Sequence, residues 1–265
     1  MLNNSELLRI ESIVRSHLSG FATGFKTRHF GELENPQGTL NLKKQNVFVR
    51  ALPGEFIYYS ALVRSFDSAF GGLLEKLAIE IAREYYEVSQ EVSGQISARQ
   101  IDYINDILTN YKNKDAIPDI SHYSNYSAEP FSLKPASHAS DHLFFDKKKN
   151  TYHIVELKAG GDLDIKKAEV EKRALLEQYF ILRNTTSSDI KLHFATAYNK
   201  FGEGNDWAQE RVQRFFAAEE LLIGKDFWNF VCKDDTGFAA VLSAYTNNIG
   251  VIVDALSEIK EAYNI

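Results

Sequence analysis

The stretch "DHLFFDKKKNTYHIVELKAGG", Asp141 to Gly161, sets two apolar runs on either side of a polar turn. Runs of that length, rich in Phe, Tyr, Ile and Val, predict a β-hairpin. Whether the turn is Lys148 and Lys149 or the four residues Lys147 to Asn150, the pairing sum is the same. Asp146 faces Thr151, Phe145 faces Tyr152 and Asp141 faces Glu156. Directly opposed residues share a face, with Cβ atoms about 4.5–5.5 Å apart. The two-residue period of a strand brings Lys158 to that face as well. Asp141, Glu156 and Lys158 are expected to converge, with Asp146 solvated on the opposite face.

Two opposed carboxylates repel unless something offsets them. A divalent cation does so, and hard oxygen ligands suit Mg²⁺, with Mn²⁺ an expected substitute. Asp141 and Glu156 would hold it, joined by the backbone carbonyl of Leu157. Lys158 beside it could hold or deprotonate a water and neutralise a phosphoryl transition state. Gly160 and Gly161 are expected to leave room for a phosphate backbone. The N-terminus of the next helix would add amide donors. The plainer reading is a surface ion pair between Glu156 and Lys158 on an edge strand. The apolar "HIV" before it and the glycines after it weigh the other way.

Working outward, "DLDIKKAEVEKRALLEQYFILRN" predicts a helix with Asp162 at its N-cap. "KLHFATAYN" reads as a third strand. "NSELLRIESIVRSHL" predicts a helix capped by Asn4 or Ser5. Residues 19–46 read as a long loop. A long helix is expected from about Ser68 to Val88, a shorter one over "SARQIDYINDILTNYKNK", and irregular chain from Ala116 to Ala139. "GKDFWNFV" and "GFAAVLSAYTNNIGVIVDALSEIKEAY" read as closing helices. This order predicts an α/β fold, a small mixed central sheet flanked by helices. A single domain over 1–265 is expected. Residues 65–231 would form its core, 232–265 its closing helices, and 1–64 a DNA-contacting or dimerisation segment.

The net charge of −6 argues against binding nucleic acid by bulk charge, while leaving room for a local basic cleft. Lys166 and Lys167, with Lys172 and Arg173, could line one, although Glu169 and Glu171 interleave with them. The loop "YNKFGEGNDW" could read base edges through Asn199, Lys200 and Asn205, or be an ordinary connector. Gln178 could orient Glu156 or a phosphate. His142 and His153 read as packing residues. The single cysteine, Cys232, excludes an internal disulfide framework and reads as a core residue in a reducing compartment. No apolar run approaches about 18 residues and no secretory leader is evident, so no membrane partner and a cytoplasmic location are expected.

Asp141-x14-Glu156-x-Lys158 resembles the PD-(D/E)xK nuclease motif, with Ser140 standing where the motif has proline. More closely, "ELKAGGDLDIKKA", "ALLEQYFILRN" and "EELLIGKDFWNFV" resemble type II restriction endonucleases of the TdeIII type, which cut GGNCC-like sites. The resemblance covers roughly Ser65 to Val231. It implies a restriction-endonuclease-like fold and a homodimer working with Mg²⁺. Such an enzyme hydrolyses both strands of duplex DNA at a short palindrome and leaves 5′-phosphate ends. It further implies a prokaryotic restriction–modification system with a DNA methyltransferase as genetic partner. By analogy, Glu75 matches a glutamate on an N-terminal helix that stands behind the metal, directly or through water; otherwise it is a boundary residue in solvent. The alternatives are a repair or recombination nuclease of the same fold, or a DNA-binding module without catalysis.

Overall fold

The computed structural model describes residues 1–127 and 132–263, apart from the side chains at 138–141. The elements in chain order are α1 (Asn4–Glu34), α2 (Thr39–Lys43), α3 (Val47–Arg50), α4 (Gly54–Ala82), β1 (Glu87–Ser97), α5 (Ala98–Asn113), α6 (Ser121–Ser124), β2 (Leu133–Asp146), β3 (Thr151–Lys158), α7 (Ile165–Arg183), β4 (Asp189–Thr196), α8 (Glu210–Gln213), a 3₁₀ turn at Ala218–Glu220, β5 (Leu221–Ile223), α9 (Lys225–Cys232), α10 (Gly237–Asn248) and α11 (Gly250–Tyr263). They fall into two compact units. One comprises residues 1–77 with 239–265, and the other 78–238.

The first unit is helical. Asn3 caps α1 in a reciprocal box, accepting from the Glu6 amide at 3.1 Å while its own amide donates to Glu6 Oε2 at 2.8 Å. The cap therefore lies one residue ahead of Asn4. The helix also runs through the expected loop. Its buried stripe of Ile10, Val14 and Leu18 continues as Ala22, Phe25 and His29 at the same three-to-four spacing. Gly20, Gly24 and Gly31 look like breakers, but each costs only about 1 kcal/mol, which burial of that stripe outweighs. Phe25, Leu40, Ile259 and Tyr263 centre the unit's core, so α11 packs on α1 and α2.

The second unit carries a five-stranded sheet ordered β1-β2-β3-β4-β5. The first two pairings are antiparallel and the last two parallel, which makes a mixed sheet. The hairpin has the expected register: His142 pairs with Val155, Leu143 with Ile154, Phe145 with Tyr152 and Asp146 with Thr151. Phe145 and Tyr152 stack at 4.4 Å, as residues on one face should. Asp146 Oδ1 accepts from the Lys148 and Lys149 amides at 2.9 and 3.2 Å, and Asn150 takes φ +50°, which closes a four-residue turn.

α7 covers one face of the sheet, where Ala168, Leu175 and Leu176 meet Leu143, Ile154, Leu192 and Phe194. On the other face, Phe230 of α9 packs against Phe144, His153 and His193. β1 was not expected, nor was β2 before Asp141. As an edge strand β1 is largely polar and exposed, so it lacks a clear alternation. Gly94 fits closely there, since a Cβ would meet the side chains of Ile181 on α7 and Thr185 just beyond it at 2.9 and 3.0 Å. Pro135 is tolerated because β2 pairs there with β1 and lies beyond the reach of β3. No single helix among the described residues is long and apolar enough to cross a membrane, though α10 and α11, bent by 44°, pass that test of length and composition as a pair.

Candidate active site

Glu156 and Lys158 lie near the end of β3, the middle strand of the sheet, paired with Phe194 and Thr196 of β4. The edge-strand alternative is therefore excluded. Strand alternation sends Val155 and Leu157, both fully buried, to one face and Glu156 and Lys158 to the face that α7 covers. Glu156 is 7% exposed. A carboxylate that buried needs a partner, and the Lys158 ammonium contacts its Oε1. The same ammonium lies 3.1 Å from Oε1 of Glu171 on α7. Glu171 was not singled out by the sequence. It sits among the lysines of its helix, and only the fold-back of α7 onto β3 brings it to Lys158.

The Asp141 side chain lies outside what the structure describes, so its expected place opposite Glu156 rests on the hairpin's pairing sum alone. Glu75, on α4 in the first unit, is exposed rather than buried. Among the described residues no group of three or more His, Cys, Asp or Glu side chains is gathered as a metal site. The donor set at β3 is nevertheless of the right kind. It offers carboxylate oxygens without thiol or imidazole ligands, which suits a hard cation such as Mg²⁺ rather than Zn²⁺.

The glycines after Lys158 serve the chain itself. A Cβ at Gly160 would lie 2.5 Å from the Tyr198 hydroxyl oxygen, and one at Gly161 2.6 Å from Thr196 Cγ2. Gly161 also needs φ +70°. The clearance expected for a DNA backbone is thus occupied by Tyr198 and Trp207 packing. Asp164, not Asp162, caps α7, accepting from the Lys167 amide at 2.8 Å. Asp162 instead holds Lys200 at 3.1 Å, and that amine keeps its carboxyl below the usual range.

Among the expected DNA contacts, Lys166 and Lys167 are exposed on the first turn of α7. Asn199 is buried and shapes its own loop, donating to Asn205 O at 2.7 Å and accepting from the Phe201 amide at 3.0 Å. Asn205 is exposed, and its amide donates to Phe201 O at 2.6 Å. Lys172, read as cleft-lining, is 1% exposed and pairs with Glu220. Gln178 is buried in α7, and its Oε1 finds no hydrogen-bond partner among the described residues.

Asp146 corrects another expectation. It lies on the face opposite Glu156, as expected, but it is buried and ion-paired to Lys233 at 2.8 Å. Burial pushes its carboxyl up; Lys233 and the turn amides outweigh that and leave it below the ordinary range. His153 and His193 pack there as well, hydrogen-bonded at 3.0 Å, with burial depressing them to about 4 and about 3. Cys232 is buried, as expected.

The sequence model of the family described as "Type II restriction endonuclease, HinfI" matches residues 8–250, nearly the whole chain. No curated protein matches it.

Proposed function

This chain belongs to the HinfI family of type II restriction endonucleases, and from that premise we propose that Glu156 and Lys158 are its catalytic centre. Membership makes it a site-specific deoxyribonuclease acting on double-stranded DNA, with a restriction-endonuclease-like fold. It also sets aside the repair-nuclease and non-catalytic alternatives. The observation that carries the assignment is the placement of Glu156 and Lys158 on a central strand, where a buried carboxylate and a half-buried amine share one face.

In this reading Glu156, Asp141 and the Leu157 carbonyl would hold Mg²⁺, with Mn²⁺ able to replace it. Asp141 is taken as the partner of Glu156 from the hairpin's pairing sum, whose observed pairs end one step away at His142 and Val155. By the family analogy Glu75 would support the metal, directly or through water. When bound, the cation supplies charge neutralisation at the scissile phosphate and a more acidic water. Lys158 would position or activate the attacking water and meet charge developing on the phosphate oxygens. Lys166 and Lys167 contact phosphates, while Lys200 and Asn205 reach toward base edges with Asn199 shaping their loop. Cleavage leaves 5′-phosphate ends.

A palindromic site calls for a twofold dimer. Phe56, Tyr59 and Val63, exposed at helical spacing on α4, support residues 1–64 as its dimerisation segment. The finer reading of the site is GGNCC-like, from the TdeIII resemblance. The setting is prokaryotic and cytoplasmic, with a DNA methyltransferase gene as companion.

Digestion of a known plasmid with Mg²⁺, followed by run-off sequencing, tests this. Discrete fragments sharing one short palindrome at their 5′-phosphate ends are expected. A palindrome unlike GGNCC would retire the TdeIII resemblance alone; no cleavage with Mg²⁺ or Mn²⁺ would sink the catalytic assignment. A Glu75→Ala variant should need more Mg²⁺ for the same rate, and unchanged dependence removes Glu75 from the site. Phe56→Asp should halve the mass in sedimentation, and an intact dimer would move the interface elsewhere.

A further inference from the structure

Lys158 is shared between two carboxylates that reach it from different elements. Glu156 comes from the same strand and Glu171 from the middle of α7. The side chains are 10% and 21% exposed, and that of Lys158 31%. A surface lysine rarely needs two anionic partners, and one such partner on a mobile chain contributes little. Here both carboxylates sit on a packed strand and a packed helix. α7 is fixed over β3 by Ala168 and Leu175, which flank Glu171 by one helical turn on either side and are fully buried.

The arrangement matters because Glu156 has two claims on it. It now accepts from the Lys158 ammonium, and a divalent cation would need an oxygen of the same carboxylate. If Lys158 had no other anchor, the ammonium would compete with the metal for Glu156 or swing into solvent as the metal entered.

We propose that Glu171 is the positioning residue for Lys158: it retains the ammonium beside the scissile phosphate when Glu156 turns its carboxylate to the divalent cation. This deepens the catalytic assignment made above and rests on it. Glu171 acts through Lys158, without itself ligating the metal.

Mn²⁺ binding by the full-length protein, followed by electron paramagnetic resonance without DNA, gives a readout separate from cleavage. Glu171→Gln should weaken Mn²⁺ binding on the order of ten-fold, the usual range for a residue that supports a ligand from behind. Glu171→Asp should recover part of that loss. In a Lys158→Met background, Glu171→Gln should make no further difference, because the competing ammonium is gone. Thermal melting of each variant checks that the fold is kept. An equal loss in both backgrounds would make Glu171 a ligand and overturn the proposal, as would no loss in either. A wild type that neither takes up Mn²⁺ nor cuts DNA overturns the catalytic assignment, and this proposal with it. A wild type that does both while Glu171→Gln matches it overturns this proposal alone.

Discussion

Two lysines of the sheet unit, Lys158 and Lys172, each contact a glutamate, and they do opposite things. Lys172 and Glu220 are 1% and 2% exposed at the side chain. Around them the Tyr123 hydroxyl donates to Glu220 Oε1 at 2.8 Å and the Ala217 amide donates to Oε2 at 2.8 Å. The ammonium also lies 5.0 and 5.1 Å from the Tyr123 and Phe216 rings. Burial pulls the amine below its ordinary range and Glu220 opposes that; burial and Glu220 both push the Tyr123 hydroxyl up. One cation meets one anion, and both carboxylate oxygens are satisfied. Lys158 is half-open and meets two carboxylates. A half-open site where carboxylates gather is one that a divalent cation suits. The closed pair is architecture, and the open cluster is the proposed catalytic centre.

The sharpest way to break this contrast is to remove each amine in turn. Lys158→Ala should lower Mg²⁺-dependent cleavage about a hundred- to a thousand-fold, with a smaller loss of stability than removal of the Lys172 amine, because Lys158 is half-open. Lys172→Met should leave Glu220 buried without its counter-ion and cost about 3–5 kcal/mol in urea denaturation. If Lys172→Met is stable but inactive, the roles assigned to the two lysines are wrong.

A smaller effect concerns the sheet face away from the site. His153 and His193 are neutral in the fold until about pH 4 and about pH 3, whereas unfolded histidine takes up its proton near 6.5. The unfolded chain therefore binds more protons between those values, and stability falls as the pH drops below about 6.5. The loss from pH 6.5 to 5 should be about 1–2 kcal/mol for each ring. His193→Gln should flatten that slope in denaturation curves; an unchanged slope would assign it to other groups. Smaller still, Asp164→Ala should cost about 1 kcal/mol as the loss of a helix cap. Asp162→Ala, at an exposed ion pair, should be near neutral, and the reverse order would restore Asp162 as the cap.

The hairpin was legible because a polar turn between two apolar runs fixes one pairing sum, which the structure reproduces from His142 to Asp146. α7 and the closing helices were legible from their apolar periodicity. β1 was hidden because an edge strand need not alternate, and the second half of α1 because its glycines resemble a loop. At the site, Glu156 and Lys158 could be read because the strand carries both. Glu171 could not, since its approach to Lys158 depends on how α7 folds back over the sheet. The burial of Lys172 was equally hidden, because its counter-ion lies 48 residues away at Glu220. Charge on a helix reads as solvent-facing unless the partner is known. The corrections at Asp146 and Asp162 have the same origin, since Lys233 and Lys200 are distant in sequence.

The most direct test of the central claim places Glu156→Ala beside wild type on duplex DNA carrying the cleavage site. Binding is measured in Ca²⁺ and cleavage in Mg²⁺, from the same preparation. The predicted result is site-specific binding near the wild-type level with cleavage abolished. Cleavage by Glu156→Ala at close to the wild-type rate would contradict the account and move the catalytic centre away from β3.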